Sequence, residues 1–362
     1  MKKFRITWVI LGVVLVLVSG LFPACQAEAP RVAEEQESFV LRYASQWPAL
    51  TPGALGFFPY VEQPVLDEIE MRTEGRITFD VYAGGVLGGG AEIYDVVRTG
   101  KADVGTTVIQ YTPGRFPLSD LLTVPGWGGS DYEFFDVNQA TYDRILYKEF
   151  PDVKMLAFGR GSEPFYLQTN KEIKTLEDFK GLKIRTGGGI GSTMVEALGA
   201  EPIIMPVPDV YLALQTGVID GLLAGSSGLL PFKMWEVYKY ELRSFQWPGL
   251  VNIFMMNLDT WNKLPNELRQ IIELVYRHQS HKLGVELHWA NVDVLDAALN
   301  ERYGANNWLL TLPDDDQRQL LETSSQVVIN VIADMEAEGL AAQEVIDIIR
   351  EEAHKRNVDF PY

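Results

Sequence analysis

Short strand-like runs, several of them alternating apolar with polar residues, recur through the first two thirds of the chain. Phe39 to Ala44 reads as a first strand. In Arg76 to Tyr82, Ile77, Phe79 and Val81 alternate with Thr78, Asp80 and Tyr82, a strand with one buried face. Ala102 to Ile109, Val153 to Phe158, Phe165 to Thr169, Leu182 to Arg185 and Val251 to Met256 read likewise as strands. Helices are expected between them: Pro64 to Arg72 before Gly75, Ala91 to Thr99 before Gly100, residues 131–150 with Asp131 as N-cap, Ser192 to Leu198 before Gly199, Asp209 to Thr216, and Met234 to Tyr240. From Pro265 the period changes to 3.6. Leu268, Ile271, Ile272 and Val275 share one helix face, and residues 314–338 and 340–356 continue as helices. Alternating strands and helices followed by a helical tail give an α/β class.

A faint repeat divides the alternating part. Arg98-Thr99-Gly100-Lys101-Ala102-Asp103 has the same form as Gln215-Thr216-Gly217-Val218-Ile219-Asp220: a helix end, a glycine stop, and an aspartate opening a strand. Two similar α/β domains would produce it. Within the second copy, Leu182 to Arg185 runs into Thr186-Gly187-Gly188-Gly189-Ile190-Gly191. A glycine-rich turn can present backbone N–H groups to an anion, and Ser192 is placed to cap the following helix. Arg185 stands at the carboxyl end of its strand, where open α/β sheets bind ligands. Its guanidinium fork matches a carboxylate. From these residues alone, a ligand carboxylate and a structural Glu or Asp are both adequate partners for it.

Composition narrows the choice. The 362 residues are 47% hydrophobic, enough for two packed domains, and carry a formal charge of −18. An acidic chain repels nucleic acid and anionic lipid, so neither is an expected partner, and an anionic ligand needs a local cation. Cys25 is the single cysteine, so no intrachain disulfide forms. Basic Met1 to Arg5, apolar Ile6 to Val18 and a small residue before Cys25 read as a secretory signal over 1–24. This segment resembles a lipoprotein signal with Cys25 as the lipidated residue, although Phe22 and Pro23 depart from the usual pattern. Ordinary cleavage and an uncleaved anchor remain open. Loss of 1–24 removes three cations and no acid, taking the charge from −18 to −21. Residues 25–38 are polar and acidic, a tether.

Several ordered motifs carry a family resemblance. Lys174-Thr175 through Lys183-Ile184-Arg185, Ala197-Leu198-Gly199-Ala200 before Pro202, and Val210-Tyr211 through Asp220-Gly221 resemble the substrate-binding proteins of TRAP transporters. Arg72 to Ile77 and Gly85 to Gly88 resemble that family's first βα unit. The resemblance implies a two-lobed periplasmic-binding-protein-like fold with the ligand cleft between lobes and a helical C-terminal region. Lobe I is expected over 39–160 plus about 251–290, and lobe II over 161–250 plus about 291–362. It also implies that Arg185 pairs with the ligand carboxylate, and that TRAP permease subunits are the membrane partners. Two departures concern the ligand. Where the family often has Gln-Glu-Asn-Pro, this chain has Leu222-Leu223-Ala224-Gly225. A second arginine is absent near Glu163-Pro164-Phe165-Tyr166, with Arg160 a few residues upstream.

Further candidates follow from strand ends and loops. Gln46 and Trp47 follow the first strand and Tyr111 the third, while Trp127 and Trp247 are read as loop residues able to reach a cleft; for Trp47, packing under the next loop is the competing reading. The expected site is therefore Arg185 with Gln46, Trp47, Tyr111, Trp127, Phe165, Thr186, Gly187, Ala224 and Trp247. Such walls favour a monocarboxylate with an apolar body over dicarboxylates or sugar acids. No nucleophile elbow or P-loop occurs. His278, His281 and His288 read as a solvated helix face, so neither metal nor cofactor is expected. The resulting expectation is an extracytoplasmic receptor for a small organic acid and not an enzyme. A secreted enzyme acting on a carboxylate, or a binding protein of an ABC transporter or sensor, are the alternatives.

Overall fold

The computed structural model describes residues 37–49, 55–126, 131–160 and 165–362. The signal, the lipidation candidate Cys25, nearly all of the tether, and Trp127, Glu163 and Pro164 lie outside the described residues. Eleven strands make two sheets. The first holds β1 (Phe39–Ser45), β2 (Ile77–Tyr82), β3 (Val104–Val108), β4 (Val153–Arg160) and β10 (Val251–Asn257), in the order β2-β1-β3-β10-β4. The second holds β5 (Phe165–Thr169), β6 (Lys183–Thr186), β7 (Glu201–Ile204), β8 (Gly221–Ala224), β9 (Tyr240–Trp247) and β11 (Leu309–Leu310), in the order β11-β9-β5-β8-β6-β7. The chain passes from the first sheet to the second between β4 and β5, and back between β9 and β10. β10 therefore lies antiparallel between β3 and β4, while β1 pairs parallel with β2 and β3.

The repeat read in the sequence is a repeat of hydrogen bonds. Thr99 and Thr216 end their helices, each donating its hydroxyl to the carbonyl four residues back. Gly100 and Gly217 take φ of +73° and +74°. The strand-opening aspartates then reach the neighbouring parallel strand: Asp103 Oδ2 accepts from Arg42 N at 2.9 Å, and Asp220 Oδ2 accepts from Lys183 N at 2.9 Å. Each carboxylate satisfies a strand-end N–H that would otherwise lack a partner.

The helical tail ties the halves together. The Asn266–Val275 helix continues through a π-helical turn, Tyr276–Ser280, into His281–Tyr303, which packs on both the Phe58–Glu62 turn and the Ser226–Leu229 helix. Asp314–Ala337 packs on Ile190–Ala197, whereas Ala342–Lys355 packs on Asp131–Arg144. Arg144 donates to Glu351 and Glu352 there, each at 2.7 Å. The Asp131–Arg144 helix under Ala342–Lys355 follows β3 in the chain. Two expected elements change. Met234 to Tyr240 supplies one 3-10 turn, Met234–Glu236, before β9 begins. The Ile190–Ala197 helix starts on Gly189, which leaves Ser192 inside it.

Candidate functional site

β6 lies between β7 and β8, with Arg185 fully buried near its carboxyl end. The neighbouring strands hold its guanidinium flat. Nε donates to the Met205 carbonyl, just past β7, at 2.8 Å, and Nη1 donates to the Leu223 carbonyl on β8 at 3.0 Å. Nη2 has no hydrogen-bond partner among the described residues. Burial pulls the Arg185 pKa below the ordinary arginine value, and the nearby Tyr111 hydroxyl acts in the opposite direction. An arginine still keeps its proton under such conditions, so the site holds a buried cation whose charge has no acidic partner among the described residues.

Arg185 is one of the residues lining a cavity of about 30 Å³ between the sheets. From the first sheet and its following loops come Trp47, Val108, Tyr111, Leu250 and Asn252. From the second come Phe165, Arg185, Ala224 and the Gly225–Gly228 turn, with Val207 beside them. Five of the ten expected residues thus meet here: Arg185, Trp47, Tyr111, Phe165 and Ala224. Besides Arg185 Nη2, three buried polar atoms of lining residues make no hydrogen bond of good geometry among the described residues: Trp47 Nε1, Asn252 Oδ1 and the Tyr111 hydroxyl, which is close enough to Arg185 to act on its guanidinium.

The other expected residues stand elsewhere. Gln46 is buried and sits one layer back: the space a side chain on Gly90 would take is filled by Gln46 Oε1 and the Tyr111 ring. Trp247 is a correction. It is no loop residue but the last residue of β9, paired with Phe165, with its ring packed on Phe179 and Phe245 in the core. Trp127 lies outside the described residues, as does the side chain of Arg160, whose backbone ends β4.

Thr186 and Gly187 do not line the cavity, and the glycine turn has a different task from the one expected. A Cβ on Gly188, at φ +110°, would lie 2.5 Å from the Gln110 carbonyl oxygen, and one on Gly187 would lie 2.5 Å from Leu250. The turn is pressed against the first sheet's side of the molecule, and glycine is what permits that distance. Ser192 does not cap the helix; its hydroxyl lies 2.6 Å from that of Thr186. Next to this seam, Asp120 accepts from Gln110 Nε2 at 2.9 Å, and Gln110 Oε1 accepts from Val251 N at 2.9 Å. Burial pushes the Asp120 carboxyl up to about 7, the Gln110 hydrogen bond pulls it down, and Glu149 raises it further.

Sequence reasoning missed Asn252, Val108, Val207, Leu250 and the Gly225–Gly228 turn. One signal existed: Asn252 is the single polar residue in the run Leu250-Val251-Asn252-Ile253-Phe254-Met255-Met256. His288 is a further correction to the solvated face. It is buried, with Nδ1 3.0 Å from Ser226 Oγ, whereas His278 is exposed. No group of three or more metal-ligating side chains occurs among the described residues.

Two sheets between which the chain crosses more than once, with a mainly apolar cavity lined from both, define a two-lobed α/β binding protein. Residues 62–337 match the profile of bacterial extracellular solute-binding protein family 7, and the chain belongs to that family, the solute-binding proteins of TRAP transporters. It is 27% identical over 241 residues to a monocarboxylate 2-oxoacid-binding periplasmic protein of Nostoc, a match spanning 64% of each chain. It is 23% identical over 280 residues, 75% of each chain, to the 2,3-diketo-L-gulonate-binding periplasmic protein of Escherichia coli. The fold matches a TRAP solute-binding protein of Rhodoferax ferrireducens solved with copurified benzoate, with a TM-score of 0.78, 24% identity, and coverage of 88% of this chain and 99% of that one. A Bordetella bronchiseptica TRAP protein solved with mandelate gives a TM-score of 0.73 at 24% identity, with the same coverage.

Proposed function

We propose that the chain is the extracytoplasmic receptor of a TRAP transporter, and that it captures a small monocarboxylate on Arg185 by closing two lobes around it. One observation carries this reading: a buried, uncompensated guanidinium N–H and the indole N–H of Trp47 both stand unpartnered among the described residues, on side chains that line a mainly apolar cavity with Val108, Phe165, Val207, Ala224 and Leu250 in its wall. A carboxylate supplies the acceptors these donors lack, and charge-assisted bonds to it are the strong kind. The apolar remainder fits an aliphatic or aromatic body. Of the ligands in the names of the similar proteins given above, the 2-oxoacid, benzoate and mandelate have this form, whereas 2,3-diketo-L-gulonate is a sugar acid.

A cavity of about 30 Å³ holds roughly one water, against about 150 Å³ where benzene is accommodated. Ligand entry therefore requires the lobes to part. Lobe I is assigned to 39–160 with about 251–290, and lobe II to 161–250 with about 291–362. In the same reading Cys25 carries the lipid, residues 25–38 are the tether, and the TRAP permease subunits receive the ligand.

A thermal-shift panel tests the function. Aromatic and branched-chain monocarboxylates should raise the melting temperature by several degrees at about 100 times Kd, where linkage supplies about 2.7 kcal/mol. Succinate, malate and hexuronates should do little, because each extra polar group is desolvated without a partner at about 1–3 kcal/mol. Stabilisation by the second group alone would remove the monocarboxylate assignment.

A further inference from the structure

We propose that the ligand of the Arg185 cavity carries a hydroxyl as well as a carboxylate, and that Asn252 is the residue that reads it. This rests on the receptor reading and names the ligand class more narrowly. The reasoning is a count of donors and acceptors. Four polar groups on the cavity wall have an atom shut off from solvent and unpartnered among the described residues. Arg185 Nη2 and Trp47 Nε1 can only donate, the Tyr111 hydroxyl can donate or accept, and Asn252 Oδ1 can only accept. A carboxylate only accepts. It can answer Arg185, Trp47 and Tyr111, but it cannot answer Asn252.

The position of Asn252 makes that mismatch hard to evade. It lies on β10, between Val108 of β3 and Gly159 of β4, so its backbone is held from both sides. Its side-chain amide forms no hydrogen bond among the described residues. If the amide is turned over, the closed-off atom becomes an N–H donor, and a hydroxyl answers that equally because it both donates and accepts. An ammonium group would also donate, but it would share a small cavity with the Arg185 cation. A second carboxylate would set acceptor against acceptor. The chemistry that satisfies all four groups is a hydroxy-monocarboxylate with an apolar or aromatic body.

Pairs of probes that differ by one hydroxyl test this by calorimetry: mandelate and phenylacetate, 3-phenyllactate and 3-phenylpropanoate, 3-hydroxybenzoate and benzoate, 2-hydroxy-4-methylpentanoate and 4-methylpentanoate. In the wild-type protein, at least one hydroxy acid should bind about ten- to a hundredfold more tightly than its partner. In Asn252→Leu and Asn252→Val the same ratio should fall to within about threefold, with melting of the ligand-free variants recorded to confirm folding. Should both variants fail to fold, the wild-type ratio decides whether the ligand carries a hydroxyl, and the smaller Asn252→Ala and Asn252→Ser, read by the same ratio, decide the role of Asn252. Deoxy acids binding as well as their hydroxy partners, or a preference that survives in the variants, overturns the role of Asn252 while leaving Arg185 and the receptor reading in place. Failure of all eight probes to bind removes the monocarboxylate reading, and this inference with it.

Discussion

Replacing Arg185 with methionine separates a ligand-binding arginine from a structural one. An arginine kept for stability should have an acidic partner, and breaking a buried pair costs about 3–5 kcal/mol. Arg185 has none among the described residues; its bonds go to the carbonyls of Met205 and Leu223, and Nη2 is idle. Exchanging a buried charge for a packed apolar chain is often neutral or gains about 1–4 kcal/mol. Against this, two carbonyls lose a donor, at about 1–3 kcal/mol each where water does not reach them. The two effects nearly cancel. Arg185→Met should keep the ligand-free protein within about 2 kcal/mol of wild type, yet lose carboxylate binding by at least about tenfold. Arg185→Lys should lose much of the binding too, since a point charge cannot reproduce the fork. Urea unfolding followed by tryptophan fluorescence gives the first quantity, and calorimetry with the strongest acid from the thermal-shift panel gives the second. A ligand-free loss above about 4 kcal/mol, or wild-type affinity in Arg185→Met, would refute the reasoning.

Two further outcomes are expected. Gly188→Ala places a Cβ 2.5 Å from the Gln110 carbonyl at φ +110°, so the turn must draw back from the seam; a loss of about 2–4 kcal/mol in melting experiments is expected, and a neutral result would show that the turn does not need this approach. Asp120 and Glu62 are carboxyls that burial pushes up to about 7 and about 8; above about pH 4 each keeps in the folded chain a proton that the unfolded chain releases, so their contribution is complete below about pH 4 and is lost as pH rises from there to about 7 for Asp120 and about 8 for Glu62, and Asp120→Asn should remove the part of that decline between about pH 4 and 7, on the order of 4 kcal/mol, with an unchanged pH–stability curve counting against it.

Local chemistry was legible in the sequence, and what was missed depended on distant partners. Gly100 and Gly217 end their helices, and Asp103 and Asp220 reach the adjacent strand, because these rules act within a few residues and one hydrogen bond. Arg185 was found because strand, charge and glycine turn are contiguous. β9 was missed because Glu241 and Arg243 interrupt its apolar pattern, yet Glu241 is buried by pairing with Arg243. The glycine turn was read as an anion cradle because its actual neighbours, Gln110 and Asp120, belong to another sheet's loops. His288 looked solvated for the same reason: its partner Ser226 comes from the turn after β8. Asn252 needed the sheet order, since a polar residue in an apolar strand has no meaning until the cavity beside it is known.

On the receptor reading, the unpartnered groups also bear on which state the empty protein prefers. With the lobes together, Arg185 Nη2, Trp47 Nε1, the Tyr111 hydroxyl and Asn252 Oδ1 are cut off from solvent and unanswered among the described residues. Each costs about 1–3 kcal/mol relative to a state in which water reaches it. The glycine seam and the Gln110 contacts pull the other way, holding the two sides together. On this reading the stranded groups favour opening and the seam opposes it, so a ligand that supplies the missing partners favours the closed form. A ligand can move that balance only by its differential affinity for the closed form. Going from almost wholly open to almost wholly closed takes about 5.5 kcal/mol. One carboxylate bond at about 1.5–3 kcal/mol falls short of this, and the remainder must come from the second polar contact and from burial of the apolar body. A bare acid such as acetate should therefore bind weakly and leave the lobes apart, although it satisfies Arg185 as fully as a larger acid does.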